Sequence, residues 1–185
     1  DLVERWLSPT AMALAAPEVP LPVRRHLLRR ATERGALRVA SLTTAERGEA
    51  LATGFLSLVD LLALNEDEAA GLAGAPFPDG APEPFLLRLS GVVPGVRLVV
   101  TAGARGAFAF DGTAWAHAPA LPVAVVSTAG AGDALLGGLL AGLAVGLPFA
   151  PVGSSPQSLA ERPLSSALEL GALVAAFKVT SPHTI

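Results

Sequence analysis

Cysteine is absent from this 185-residue chain, which excludes disulfides, thiolate metal sites and cysteine nucleophiles. Lysine is nearly absent: Lys178 is the only one, far along the sequence from any glycine-rich turn. A P-loop needs Gly-Lys followed by Ser or Thr, so that class is excluded too. Charge is scarce at 16% of residues, and 13 basic against 16 acidic residues leave a net charge of -3. Such a balance carries no nucleic-acid footprint, and no nucleic-acid partner is expected. The arginines Arg24, Arg25, Arg29, Arg30 and Arg34 are spaced as the solvated face of an amphipathic helix between Pro22 and Gly35. There is no G-x-S-x-G elbow and no H-E-x-x-H pair. A dinucleotide fingerprint fails because Leu135 stands where its third small residue belongs.

No charged residue occurs from Ala134 to Ala160, and Gly138, Gly142 and Gly146 repeat at a spacing used by membrane helices. The helix-compatible part, Ala134 to Leu147, reaches only roughly 21 Å against a hydrocarbon core of roughly 30 Å. Pro148, Pro151, Gly153 and Pro156 then break it. The expectation is a buried helix of a soluble protein, with small residues allowing close approach and no membrane partner. The first residues carry no basic stretch followed by an apolar one, so no signal peptide is expected.

What the chain does contain is apolar surface to bury. Hydrophobic residues make up 51% and the mean hydropathy is +0.53, enough for one folded domain over residues 1–185. Strand-like and helix-like segments alternate. Strands are expected at Ala11–Ala16, Leu37–Leu42, Val59–Leu64, Leu98–Thr101 and Val123–Val126. A hairpin is expected from Ala107–Phe110, turning at Asp111-Gly112 into Thr113–His117. Helices are expected at Pro22–Arg34, Ala45–Ser57 with Thr43 or Thr44 as cap, Phe85–Val93, Ala134–Leu147 and Leu164–Lys178. A further helix starts at the acidic run Glu66-Asp67-Glu68, and Pro148–Pro163 reads as a surface loop. Strands separated by helices predict an α/β three-layer sandwich with a mainly parallel sheet. Ligands in such sheets bind at the carboxyl ends of strands, and Asn65, Thr101 and the Gly130 turn each follow a strand-like run.

The densest chemistry lies in Ser127-Thr128-Ala129-Gly130-Ala131-Gly132-Asp133-Ala134. A glycine turn opening a helix offers backbone N–H groups, here those of Gly130, Ala131 and Gly132, to an anion. Asp133 adds a carboxylate beside that site. A donor nest with an adjacent base suits phosphoryl transfer to an alcohol. Asn65-Glu66-Asp67-Glu68 and Thr101-Ala102-Gly103-Ala104-Arg105-Gly106 precede it in sequence. Alone, Asn65 reads as a helix cap, the acids as favourable first-turn charges, and Thr101–Gly106 as a strand–turn–strand connection.

Taken together these three motifs resemble the ribokinase-like (PfkB) family of carbohydrate kinases. The resemblance implies an ATP-dependent cytoplasmic kinase acting on a hydroxyl of a sugar or nucleoside-like substrate. In it Asp133 is the catalytic base, and Gly130, Ala131 and Gly132 stabilise charge on the transferred group. Asn65 and Glu68 match N-x-x-E, whose residues organise Mg2+ and phosphate oxygens largely through water, with no direct protein ligand to the metal. Thr101, Gly103 and Gly106 match a T-x-G-x-x-G nucleotide loop, and adenine would lie between the His117–Val123 segment and the last helix. Glu18 matches a position where glutamate meets the sugar, although a surface glutamate between prolines reads equally well.

The resemblance covers nearly the whole chain as the family's C-terminal, nucleotide-binding portion. The family's opening strand, glycine pair and small lid sheet have no counterpart here, and the lid is where substrate choice and homodimer contacts reside. Ser127 and Ala129 replace an aspartate and a threonine that help hold a monovalent cation in many members, which argues against potassium activation. His26, His117 and His183 read as surface residues. Two other functions stay open on sequence: a non-catalytic nucleotide-binding module, and a hydroxymethylpyrimidine-type vitamin kinase. The N-x-x-E motif and the hairpin after Gly106 favour the sugar branch over the latter.

Overall fold

The computed structural model describes residues 6–151 and 163–182. Six strands form one sheet in the order β1 (Met12–Ala15), β2 (Leu37–Ser41), β3 (Leu61–Asn65), β4 (Arg97–Thr101), β5 (Ala107–Phe110) and β6 (Trp115–Ala118). Around these strands the chain forms α1 (Leu21–Arg34), α2 (Arg47–Ala52), α3 (Glu66–Ala73), α4 (Glu83–Val92), α5 (Ala131–Ala144) and α6 (Ala167–Val179). This is the mainly parallel α/β arrangement that the alternating segments predict. Contacts divide it into two compact units. One takes residues up to Val99 together with Phe110–Thr113; the other takes Val100–Ala109 and residues from Ala114 onward.

In the first unit β1 pairs parallel with β2, Leu14 opposite Val39, and β2 pairs parallel with β3, Val39 opposite Leu61. The Arg97 amide donates to the Asp60 carbonyl at 2.9 Å, which starts β4 beside β3 in the same direction. Val39, Leu61, Leu62, Leu98 and Val99 are wholly buried, as expected of parallel strands covered on both faces. Their apolar runs leave no alternation for a solvent face.

Helix α1 corrects one reading. Arg24 is not on the solvated face; it is buried on the same stripe as Leu21, Leu28 and Ala31. Its guanidinium donates to Glu46 Oε1 at 2.7 Å and to the Ser41 carbonyl at 2.5 Å, over the Phe55 ring. Such partners offset the cost of burying the cation. Helix Ala45–Ser57 is also not continuous. Thr43 and Glu46 form a capping box on a short 3-10 turn, α2 ends at Ala52, and Gly54 takes the left-handed conformation at φ 66° before a second 3-10 turn. Glycine adopts that conformation without the Cβ clash that would hold another residue helical.

The strand ends opposite Asn65 are tied by an ion pair. Asp60 accepts from the Arg38 amide and Nε, both at 2.9 Å, and from Nη2 at 2.5 Å. Burial pushes the Asp60 carboxyl up, but the Arg38 hydrogen bonds outweigh it and hold the group below its ordinary value. A carboxylate with a lowered folded-state pKa stabilises above its unfolded value, and that stability is lost as pH falls through the folded value. Asp60→Asn is therefore expected to lower the melting temperature at neutral pH and to shrink its fall below about pH 4. Thermal melts across that range check it.

Strands β5 and β6 are neighbours in the sheet and form the expected hairpin. The Asp111 carboxylate accepts from the Thr113 amide and hydroxyl at 2.8 Å, across Gly112 at φ 103°. Helices α5 and α6 press together at glycines. A Cβ on Gly138 would stand 2.9 Å from the Gly171 Cα, and one on Gly171 only 2.6 Å from the Leu135 carbonyl oxygen. The small residues of α5 thus serve helix packing, and no helix among the described residues is long and apolar enough to cross a membrane. Val123–Val126 is not a strand. Val125 and Val126 are exposed, and the Val126 amide donates to the Val179 carbonyl at the end of α6 (2.7 Å) rather than to a ladder. Most of the proline- and serine-rich stretch expected as a loop, residues 152–162, lies outside the described residues, as does His183.

Candidate active site

The glycine turn opens α5. Gly130 is the residue before the helix, left-handed at φ 74°, and Asp133 stands in the first turn with its side chain exposed. A helix start leaves its first amides without intrahelical partners. The Ala131 amide is not one of the available donors, because it closes a turn onto the Thr128 carbonyl at 3.1 Å. The amides of Gly130, Gly132 and Asp133 have no such partner among the described residues. Of the nest expected from Gly130, Ala131 and Gly132, the Ala131 amide is engaged within the turn, while Gly130 and Gly132 keep theirs available beside that of Asp133. Ser127 shapes the approach, its hydroxyl accepting from the Ala129 amide at 3.3 Å. Gly132 has open space around its Cα, so a group could come close to this turn.

The same unit holds the loop after β4. Thr101 ends the strand half-buried, Gly103 begins a 3-10 turn at φ 53°, and Gly106 leaves it at φ 87°, ψ −140°. The Ala102 amide donates to the Gly106 carbonyl at 2.8 Å, closing the loop. Gly106 is demanded by space as well as by angle: a Cβ there would be 2.2 Å from the Ala118 carbonyl oxygen. His117 lies on the surface as expected, stacked on Phe108 at 4.4 Å, and its Nε2 donates to the Arg105 carbonyl at 2.7 Å. That bond requires the Nε2–H form of the ring.

In the other unit Asn65 ends β3 and caps α3. Its Oδ1 accepts from the Glu68 amide, while Glu68 Oε2 accepts from the Asn65 amide, both at 2.8 Å. The two bonds form a capping box at the start of α3. Glu18 is exposed in the turn between β1 and α1. Among the described residues no three His, Cys, Asp or Glu side chains are grouped to hold a metal.

Lys178 escaped sequence reasoning. It is buried in the last turn of α6, and a Cβ on Gly130 would lie 3.5 Å from its Cε. Sequence distance concealed this. Only the valine run before the turn, tied to the end of α6, could have hinted at it.

The glycine turn thus presents backbone amides beside an exposed carboxylate at the start of α5. Residues 13–185 match the profile described as pfkB family carbohydrate kinase. The chain belongs to that family. It is 39% identical over 94 residues to a fructokinase of Klebsiella pneumoniae, a match covering 50% of this chain and 29% of the relative. Among solved structures, Arabidopsis thaliana ribokinase complexed with ribose and ATP superposes with a TM-score of 0.70 at 19% identity, over 92% of this chain and 50% of that one. Aminoimidazole riboside kinase from Salmonella enterica gives 0.67 at 24% identity, over 95% of this chain and 61% of that one. The chain thus spans about half the length of these solved structures, and its match covers under a third of the curated relative.

Proposed function

We propose that the protein transfers the terminal phosphoryl group of ATP to a hydroxyl of a sugar or riboside. One observation carries this: unpartnered amides at Gly130, Gly132 and Asp133 open α5 on the same turn as the exposed Asp133 carboxylate. Asp133 accepts the proton of the acceptor hydroxyl as its oxygen attacks the γ-phosphorus. The bond from that phosphorus to the β–γ bridging oxygen breaks, and ADP leaves. The amides and the α5 dipole stabilise charge on the transferred group. Thr101, Gly103 and Gly106 form the loop for the nucleotide phosphates. Glu18 is assigned to the sugar on resemblance alone.

Magnesium bound with ATP neutralises phosphate charge. Asn65 and Glu68 are assigned an outer role toward it on resemblance alone, and Mg2+ keeps several of its waters in such a role. Glu68→Gln preserves the capping geometry while removing the charge. It is expected to leave the melting temperature within about 2 °C and to lower turnover about tenfold or more. A capping role alone would leave turnover unchanged. A cytoplasmic setting and a homodimer are what the resemblance implies for this reaction.

The related proteins are named a fructokinase, a ribokinase complexed with ribose and ATP, and an aminoimidazole riboside kinase, so free sugars and ribosides form the first acceptor panel. ADP release in the presence of each, with the product identified by phosphorus NMR, tests the proposal. Phosphorylation of one acceptor class supports it. Nucleotide binding with no transfer to any acceptor would replace it with a nucleotide-binding module.

A further inference from the structure

Lys178 is buried with 4% exposure, and its Nζ has no hydrogen-bond partner among the described residues. Its stem lies against Gly130, the residue that opens the α5 anion site: a Cβ there would be 3.5 Å from Cε. The position is held by main chain. The Val179 carbonyl accepts from the Val126 and Ser127 amides, at 2.7 and 3.2 Å, which fastens the end of α6 to the segment entering the turn. A last-turn lysine ordinarily favours its own helix dipole by reaching the final carbonyls; this one reaches none of them. On α6 the other charged group is Glu169, engaged by the Ser165 amide and hydroxyl at the opposite end of the helix. On α5 it is Asp133, exposed in the first turn.

An ammonium buried without a partner is costly, and a nearby anion relieves that cost. We propose that Lys178 is a positioning residue of the α5 turn: a tethered cation beneath Gly130 that favours a terminal phosphoryl group on the amides above it. The inference rests on the reading of the turn as a phosphoryl site and deepens it. The protein supplies there, by a covalently fixed ammonium, the positive charge that a free ion would otherwise have to bring. Because Nζ is shielded from solvent, the lysine acts through the turn and the field at its amides rather than as a surface ligand.

The two effects of removing this charge have opposite signs. Lys178→Met, similar in length and apolar, is expected to melt at or above the wild-type temperature without ligand, because an unpartnered buried charge is gone. It is expected to bind the non-hydrolysable analogue β,γ-imido-ATP at least about tenfold more weakly, with a much smaller change for ADP. Calorimetric titrations of both nucleotides and ligand-free melts read these out. Lys178→Ala provides a second test, since added ethylammonium chloride should restore affinity for the analogue where sodium chloride does not. Equal affinity of wild type and Lys178→Met for the analogue would overturn the inference. So would equal losses for ADP and the analogue, or a failure of ethylammonium to act on a folded Lys178→Ala. If wild type itself binds neither nucleotide, the phosphoryl-site reading fails first and this inference falls with it.

Discussion

Asp133→Ala is expected to abolish turnover, lowering kcat by about a thousandfold while leaving ATP affinity within a few-fold of wild type. The carboxylate is exposed in the first turn of α5, so its removal leaves no buried partner unsatisfied and no cavity. The backbone amide of residue 133 survives substitution by alanine or asparagine, and the nest with it. What is lost is the group that takes the hydroxyl proton. Removing a first-turn acid also weakens the helix dipole interaction by about 0.3–1 kcal/mol, a drop of a few degrees at most. These outcomes separate two roles for the same residue. If Asp133 merely stabilises the helix start, the variant melts slightly lower and turns over normally. If it is the base, Asp133→Asn, which keeps shape and loses basicity, fails as fully as alanine. Steady-state kinetics with the best acceptor, beside melts of all three proteins, decide between them.

Gly106→Ala should cost more stability than any other single methyl in the second unit. Its Cβ would meet backbone on every side, at 2.2 Å from the Ala118 carbonyl oxygen, 2.6 Å from the Ala120 amide nitrogen and 2.8 Å from the Pro119 carbonyl carbon. Main chain cannot swing aside as a flexible side chain does, so β6 must separate from the loop. The φ of 87° adds strain for any residue with a side chain. Overpacking and backbone strain together amount to roughly 3–5 kcal/mol, or a fall of about 10 °C in a domain of this size. Gly103→Ala is the internal comparison. Its φ is 53°, but nothing lies within 4 Å of the added Cβ, so only the strain remains, about 1 kcal/mol. Equal melting temperatures for the two variants would show that the close approach at Gly106 is relieved by movement elsewhere.

Much of this was legible in the sequence, for identifiable reasons. Short unbroken apolar runs such as Leu61–Leu64 and Leu98–Val100, bounded by turn residues, fit strands buried on both faces, and the glycines that end helices mark their own boundaries. The turn at Gly130 and the cap at Asn65 were visible because local chemistry, not tertiary contact, specifies them. Failures occurred where a distant partner decides. Val123–Val126 has strand composition, yet the carbonyl it meets belongs to the end of α6. Arg24 carries a surface residue's chemistry but finds Glu46, Ser41 and Phe55 around it. The Ala131 amide is diverted by Thr128 at the very start of the helix, a detail of turn geometry that composition does not encode. Lys178 is the same lesson at longer range, since 48 positions separate it in sequence from a turn it packs against.

The most direct test of the central claim is amide-resolved NMR of the protein titrated with β,γ-imido-ATP and with ADP. The account predicts large shifts at the Gly130, Gly132 and Asp133 amides with the triphosphate analogue, much smaller ones with ADP, and little change at Ala131, whose proton is already bonded to Thr128. Saturating analogue that leaves those three amides unmoved, while resonances elsewhere shift, would contradict it.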